Sequence, residues 1–145
     1  QPPASYILDI TDVRWIGGKL SEEGIDSLIV AWGCSYSANH GGNEVAIASN
    51  GSLLGVGGGP STVDAVEIAI LRSLKNNKKL LSEAVFAADA FFPFTDAPEM
   101  LADAGCIGGC VPSGGVKEES VIDFIEERSL KVAFLNEEYR GFCRH

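Results

Sequence analysis

The feature that most constrains the fold is a set of three short apolar runs in the second half of the chain, separated by helical patterns. The runs are EAVFAAD at 83–89, CIGGCV at 106–111 and KVAFL at 131–135. Between them lie APEMLADA, which Asp96 is expected to cap and Gly105 to end, and VKEESVIDFIEERS. Apolar strands that alternate with helices are typical of a sheet covered on both faces. The sequence therefore predicts an α/β layered fold.

The first half of the chain adds a helix, a hairpin and a second helix. YILDI at 6–10 is predicted as a short strand, and Ser21 as the N-cap of the helix that follows. NEVAIAS and SLLGVG flank Asn50-Gly51, a strong signal for a two-residue hairpin turn. Apolar residues at helical spacing predict the buried faces of the two helices. These residues are Ile25, Leu28, Ile29 and Trp32 in the first helix and Val63, Val66, Ile70 and Leu74 in the second.

Length and composition limit the class of protein. The chain has 145 residues, of which 46% are hydrophobic, and it contains no linker or internal repeat, so residues 1–145 are predicted to form one domain with a loose arm at 1–5. The formal net charge of -9 argues against a nucleic-acid partner. No apolar run reaches the ~18 residues of a membrane span. We expect a soluble chain, and Gln1 at its start raises N-terminal processing as a hypothesis.

The cysteines and histidines do not form a metal-binding pattern. Cys34, Cys106, Cys110 and Cys143 lack CxxC spacing, and His40 and His145 complete no zinc motif with them. We therefore predict no metal site and interpret the cysteines as small buried hydrophobic residues, without fixing their redox state.

Two loops can contact a ligand. The segment LGVGGGPST is predicted as a glycine loop between a strand and a helix, where backbone N–H groups can meet an anion, although it matches neither a dinucleotide fingerprint nor a P-loop. A tight turn explains it about as well. The loop DAFFPFTD follows the carboxyl end of a strand, where open α/β sheets place their ligands. Its phenylalanines cannot all point inward, so a ligand pocket, a subunit interface and core packing all remain open.

Several segments in the same order resemble AICAR transformylase, which accompanies IMP cyclohydrolase in one bifunctional purine-synthesis protein. They are DVRWIGGKL, LIVAWGCSYSANHGGNEVAIASNGSLLGVGGG, ADAFFPFTD, VPSGG and the ending YRGFCRH, so the resemblance covers about residues 8–145. It implies the second of two similar units, with a three-layer α/β/α, cytidine-deaminase-like fold and a mixed sheet containing one antiparallel hairpin. In that family a formyl group passes from 10-formyltetrahydrofolate to the amine of an imidazole ribonucleotide.

The resemblance also implies a set of site residues. It assigns Asn43 and Arg140 to the nucleotide, Phe91 and Phe94 to the pocket, and Asp96 to the folate.

Departures from the family pattern weaken the expected site. GGGPSTVD lacks the substrate-binding arginine that follows the family's glycines, and Thr95 and Ala97 replace an arginine and an asparagine. The Lys-His pair that assists proton transfer belongs to the other unit. No catalytic residue and no bound cofactor is therefore predicted for this chain.

We expect an acidic pseudoenzyme subunit that contacts a protein partner or a second copy. One half of a formyltransferase that uses 10-formyltetrahydrofolate, or a module that binds a purine-precursor nucleotide or a folate, is the alternative.

Overall fold

The sheet of the computed structural model contains six strands within the described residues, 13–37 and 43–135. They are β1 (Arg14–Ile16), β2 (Asn43–Ser49), β3 (Ser52–Gly59), β4 (Val85–Ala88), β5 (Gly108–Pro112) and β6 (Lys131–Leu135), in the spatial order β1-β6-β5-β4-β2-β3. β4, β5 and β6 are parallel, whereas β1 pairs with β6, and β2 with both β3 and β4, in antiparallel fashion. The predicted mixed sheet with one hairpin is confirmed.

Four α-helices cover the two faces of the sheet. They are α1 (Glu22–Ser37), α2 (Thr62–Asn77), α3 (Asp96–Ala104) and α4 (Glu118–Glu127), and a 3-10 helix (Lys78–Glu83) continues from α2. On one face, Leu28 and Trp32 of α1 pack against small strand residues such as Ala46 and Ala87. On the other face, α2, α3 and α4 pack over Ile47 and Phe86. The result is the predicted α/β/α arrangement of three layers.

The hairpin between β2 and β3 has the turn that its sequence predicts. Asn50 and Gly51 both have positive φ angles, 55° and 74°. A type I′ turn requires this conformation at both central residues, and asparagine followed by glycine adopts it at the lowest cost. The register shifts between Ile47 and Ala48, which marks a β-bulge two residues before the turn.

The predicted return strand SLLGVG is confirmed as β3, and it continues through Gly59, so the glycine-rich connection to α2 is shorter than predicted. Gly55, Gly57 and their neighbours lie within β3, and α2 crosses them so closely that a Cβ on Gly57 would sit 2.1 Å from the carbonyl oxygen of Ala65. The glycines therefore let a helix approach a strand at backbone distance, which a larger side chain would prevent. Of the two alternatives for this segment, the structure favours the tight strand-to-helix turn, because only Pro60 and Ser61 lie between β3 and α2.

Two side chains of α2 bind the backbone of β3, the outermost strand on its side of the sheet. Arg72 Nη1 donates to the carbonyl oxygen of Val56 at 2.7 Å, and Asn76 Nδ2 donates to that of Leu54 at 3.1 Å. These contacts satisfy carbonyl groups that a terminal strand would otherwise present to solvent.

The predicted helix faces are partly correct. Leu28, Trp32 and Val66 are buried, whereas Ile29 is 44% exposed and Leu74 is 41% exposed. The buried stripe of α1 instead continues through Ala31, Ser35 and Tyr36, because a flat sheet contacts only a narrow strip of a helix. Ser21 is confirmed as the N-cap of α1: its Oγ accepts a hydrogen bond from the Gly24 amide at 3.1 Å.

Other local predictions differ from the structure at the chain's connections. β1 and the 3-10 helix at Lys78–Glu83 were not predicted, and both are short elements with little periodicity. The strand predicted at 6–10 lies outside the described residues. No helix within the described ranges is both long and apolar enough to cross a membrane.

Candidate ligand and interaction site

The sheet topology brings most of the predicted site residues to one end of the sheet. β4, β5 and β6 finish at this end, and β2 begins there because it runs antiparallel to β4. We call it the carboxyl end and define it by Asn43, Asp89, Ser113 and the loops 89–95 and 113–117. The opposite side, where β4 and β5 begin and the β2–β3 turn lies, is called the amino end.

The three phenylalanines of the loop after β4 have different environments. Phe92 is buried and its ring centroid lies 5.7 Å from that of Phe86 in the core. Phe91 is half-buried and packs against the loop after β5, where a Cβ on Gly115 would come within 2.9 Å of its ring. Phe94 is 58% exposed. Phe92 is therefore a core residue, and Phe91 makes the contact between the two loops. Neither kind of contact accounts for Phe94.

The space beneath this loop is small. A cavity of about 10 Å³ lies between the loops, lined by Phe91, Phe92, Val111, Pro112, Gly115, Glu118, Val121 and Phe134. That volume holds about one water molecule, whereas pockets for small ligands occupy roughly 300–1,000 Å³. In this arrangement Phe91 closes the space instead of lining a pocket of ligand size.

Asp96 lies at the start of α3 but is not its cap, which corrects the prediction. The N-cap is Thr95, whose side chain makes no capping hydrogen bond, and Asp96 is the first helical residue. Asp96 Oδ1 accepts a hydrogen bond from the Ala97 amide at 3.0 Å, and the residue is exposed. A carboxylate in the first turn is favourable because it opposes the positive end of the helix dipole.

Asn43 has a structural contact in addition to its predicted role. It is the first residue of β2 and is half-buried, and its Nδ2 donates to the carbonyl oxygen of Pro60 at 3.4 Å. This bond ties the start of β2 to the end of β3, where the chain enters α2.

Two buried acids pair at the carboxyl end, on the face covered by α1. The Glu44 amide donates to Asp89 Oδ1 at 2.9 Å, and the Asp89 amide donates to the Glu44 carbonyl at 3.1 Å. Both residues are 3% exposed. Neither acid was predicted from the sequence as part of a buried pair of contacts, and Glu44 was not predicted as a site residue. Its signal was an acid next to an otherwise apolar strand.

Cys34 on α1 is close enough to these acids to be affected by their charge. Burial raises the pKa of the half-buried Cys34 thiol, and the negative charge of Glu44 raises it further. The thiolate form of Cys34 is therefore disfavoured, which makes this cysteine a poor nucleophile.

The exposed part of the carboxyl end is apolar and acidic. Val116 in the loop after β5 is 96% exposed and, like Phe94, belongs to a strand-end loop. The first turns of α3 and α4 carry acids: Asp96, Glu99, Glu118 and Glu119. Arg14 pairs with Glu118 at 3.1 Å, which reduces the cationic character of this end. An anionic ligand is therefore disfavoured by the described charges.

Several candidate residues lie outside the described residues. These are Arg140, which the resemblance assigns to the nucleotide, and His40, Cys143 and His145. Within residues 13–37 and 43–135, no three His, Cys, Asp or Glu side chains are grouped so as to hold a metal ion.

Comparisons with known proteins give a consistent result. No family model matches the chain. The Bifunctional purine biosynthesis protein PurH of Thermotoga maritima is 37% identical over 131 residues, covering 90% of this chain and 27% of the relative. PurH of Aquifex aeolicus is 34% identical over 113 residues, covering 77% of this chain and 22% of the relative. The chain thus spans about a quarter of the length of these relatives.

The solved structure of Acinetobacter baumannii RibD, form 2, superposes on 77% of this chain and 32% of its own with a TM-score of 0.51 and 14% identity. That likeness concerns the fold alone, and it confirms the cytidine-deaminase-like α/β arrangement. The identities of 37% and 34% to the two PurH sequences show a relationship in sequence as well as in fold. The chain is therefore a relative of part of the bifunctional AICAR transformylase/IMP cyclohydrolase, PurH.

Proposed function

We propose that this chain is an AICAR-transformylase-like domain without catalytic activity of its own, acting as an interaction subunit of a larger assembly. The carboxyl end serves as its contact surface. Phe94 and Val116 supply apolar side chains, and the acids of the first turns of α3 and α4 supply the surrounding charge.

The observation that carries this proposal is the state of the loop after β4. Phe94 is 58% exposed while the cavity beneath Phe91 measures about 10 Å³. A loop that held a heterocycle against Phe91 would leave a space of ligand size there, and the described cavity at Phe91 is far smaller than that. An exposed aromatic ring at the same end of the sheet as an exposed valine instead favours a protein contact, since aromatic anchors dominate such interfaces.

A second candidate function is one half of a formyltransferase that uses 10-formyltetrahydrofolate and an imidazole ribonucleotide. It is favoured by Asn43, Phe91 and Asp96, which lie at the same end of the sheet in the positions that the resemblance assigns to substrates. In this case the partner would complete the site and provide the groups that handle the amine proton.

Titration calorimetry on the full chain distinguishes the two functions. We expect no saturable heat with AICAR or with a folate analogue at concentrations up to 1 mM, roughly the weakest affinity that such a titration detects. Saturable heat with either compound, lost in the Asp96→Asn or Asn43→Ala variant, would favour the formyltransferase half and contradict the proposal.

The interaction role has its own test. Light scattering coupled to gel filtration, on the chain with any partner that copurifies, is expected to give a mass above that of one chain. Phe94→Ser should return that mass to the monomer value. Leu71→Ser is the matched control, because Leu71 is 55% exposed on α2 and far along the chain from both loops. A monomer before substitution, or an equal effect of both substitutions, would contradict the proposed surface.

A further inference from the structure

A cavity outside the predicted site lies at the amino end of the sheet. Its volume is about 510 Å³, and it lies between the first turns of α1, the β2–β3 turn and the 3-10 helix. It is lined by Ser21, Glu23, Gly24, Ser27, Ser49, Asn50, Lys79, Leu80, Ser82, Glu83 and Ile107. This volume is within the range of small-molecule sites, roughly 300–1,000 Å³.

Two buried serine residues contribute to the cavity wall. Ser27 and Ser49 are each 3% exposed. Ser27 Oγ accepts a hydrogen bond from the Gly51 amide at 2.9 Å, so its hydroxyl hydrogen remains available to an acceptor in the cavity. The Ser49 hydroxyl makes no hydrogen bond to any residue in the described ranges. The Ser49 hydroxyl is therefore available to a ligand in the cavity, both as a donor and as an acceptor.

Charged side chains at the cavity determine which ligands it can accept. Glu23 and Glu83 contribute two carboxylates and Lys79 one ammonium group, and none of the three forms an ion pair with another described residue. Two carboxylates against one ammonium give the cavity a net negative charge, which attracts a cationic group and repels a phosphate. Lys79 can meet a carboxylate on the same ligand.

The cavity also has an apolar wall. Leu80 is half-buried and Ile107 is 39% exposed, and both line it. An aliphatic part of a ligand can cover these side chains and remove them from water.

We propose that this cavity binds a small zwitterion with an aliphatic side chain, of the α-amino-acid class. The carboxylates of Glu23 and Glu83 hold its ammonium group, and Lys79 holds its carboxylate. The Ser49 hydroxyl completes its hydrogen bonds, and Leu80 and Ile107 contact its side chain. The site lies at the end of the sheet opposite Phe94 and does not depend on the proposed function.

Three probe compounds test how much each charged group of the ligand contributes to binding. L-leucine carries both charged groups, 3-methylbutylamine lacks the carboxylate, and 4-methylpentanoate lacks the ammonium group. Each is titrated into the full ¹⁵N-labelled chain while the amide signals of Ser49, Asn50 and Glu83 are followed by NMR. We expect L-leucine to bind best, the amine to bind about tenfold more weakly, and the acid to cause no saturable shift, because one charge-assisted hydrogen bond contributes about a factor of ten.

Substitutions in the cavity wall test whether L-leucine binds in this cavity. Glu83→Gln and Ser49→Ala are expected to weaken L-leucine binding about tenfold and about fivefold, on the scale of a lost charged or neutral hydrogen bond. Glu67→Gln, on the exposed side of α2, is the matched control and should leave binding unchanged. Circular dichroism establishes that each variant is folded.

The proposal is overturned in three ways: no probe shifts these signals, the acid binds as well as L-leucine, or Glu67→Gln has the same effect as Glu83→Gln. The first result would mean that the cavity holds water only.

Discussion

The two ends of the sheet use polar and apolar residues in opposite ways. At the carboxyl end the acids Glu44 and Asp89 are buried and bound to each other's strands, while Phe94 and Val116 face the solvent. At the amino end the charged side chains are exposed around a cavity of about 510 Å³, and its apolar residues form only one wall. The carboxyl end is therefore suited to contact with a protein, and the amino end to a small polar molecule. The general rule for open α/β sheets predicts the opposite, because it places small ligands at the carboxyl ends of the strands.

The largest expected effect comes from comparing two phenylalanines of the loop after β4, Phe92 in the core and Phe94 at the surface. Phe92→Ala should lower the free energy of unfolding by about 3–5 kcal/mol, since it leaves a cavity beside Phe86. Phe94→Ala should change it by less than about 0.5 kcal/mol, as expected for a surface position. Urea denaturation measures both values. Similar losses for the two variants would mean that Phe94 also packs in the core.

The next effect concerns two buried cysteines, Cys106 just before β5 and Cys110 within it. Burial raises the pKa of the Cys106 thiol to about 12, and it also raises that of Cys110. The folded chain therefore keeps these protons at a pH where the unfolded chain, with an ordinary thiol pKa near 9.0, loses them. This contribution to stability is complete below pH 9 and is lost as the pH rises from about 9 towards 12.

Each thiol should contribute a loss of about 1.4 kcal/mol per pH unit in that window. Between pH 8 and pH 10 the free energy of unfolding should fall by about 2–3 kcal/mol from the two thiols together. The same denaturation experiment on Cys110→Ala should show about half of that decrease. An unchanged pH dependence in this variant would contradict the prediction.

A smaller effect is expected at the amino end, where α1 holds the hairpin turn. Ser27→Ala removes the acceptor of the Gly51 amide and should lower the free energy of unfolding by about 1 kcal/mol. Faster hydrogen exchange at the Gly51 amide is the local readout. Exchange at the Cys106 amide, which donates to Leu101, is the internal reference and should not change.

The smallest expected effect is at the surface of the carboxyl end. Glu118→Gln removes the charge that pairs with Arg14, whose side chain is 54% exposed, so the loss should be below about 1 kcal/mol and should decrease at high salt. Thermal denaturation at low and high salt measures it. Because glutamine keeps an oxygen that can accept from the Gly114 amide, a loss above about 2 kcal/mol would contradict the expectation for an exposed ion pair.

The sequence was sufficient to predict the elements with strong local signals. The apolar runs that became β4, β5 and β6, the Asn50-Gly51 turn and the Ser21 cap all depend on residues that are neighbours in the chain. The family resemblance predicted the three layers, which local patterns alone left open. The extent of the single domain, 1–145, stays a prediction, as do the roles assigned to Asn43, Phe91, Phe94, Asp96 and Arg140.

What the sequence could not predict depends on contacts between distant segments. The strand SLLGVG was predicted, but the reason for its glycines becomes visible only when α2 is placed across them, since the helix then requires a backbone without side chains. Ile29 and Leu74 fit a helical apolar face but lie beyond the strip that the sheet covers. The amino-end cavity combines α1, a turn and an unpredicted 3-10 helix, so no single motif could have indicated it.

The contacts from Arg72 and Asn76 to the carbonyl groups of β3 have a consequence for how copies of this chain behave at high concentration. An unprotected terminal strand is a template on which another chain can add, and repeated addition produces aggregates with continuous sheets. With the Val56 and Leu54 carbonyl groups already bonded to α2, β3 is a poor template. Another chain that added to this edge would have to displace both bonds, so growth of a continuous sheet through β3 carries an energetic penalty.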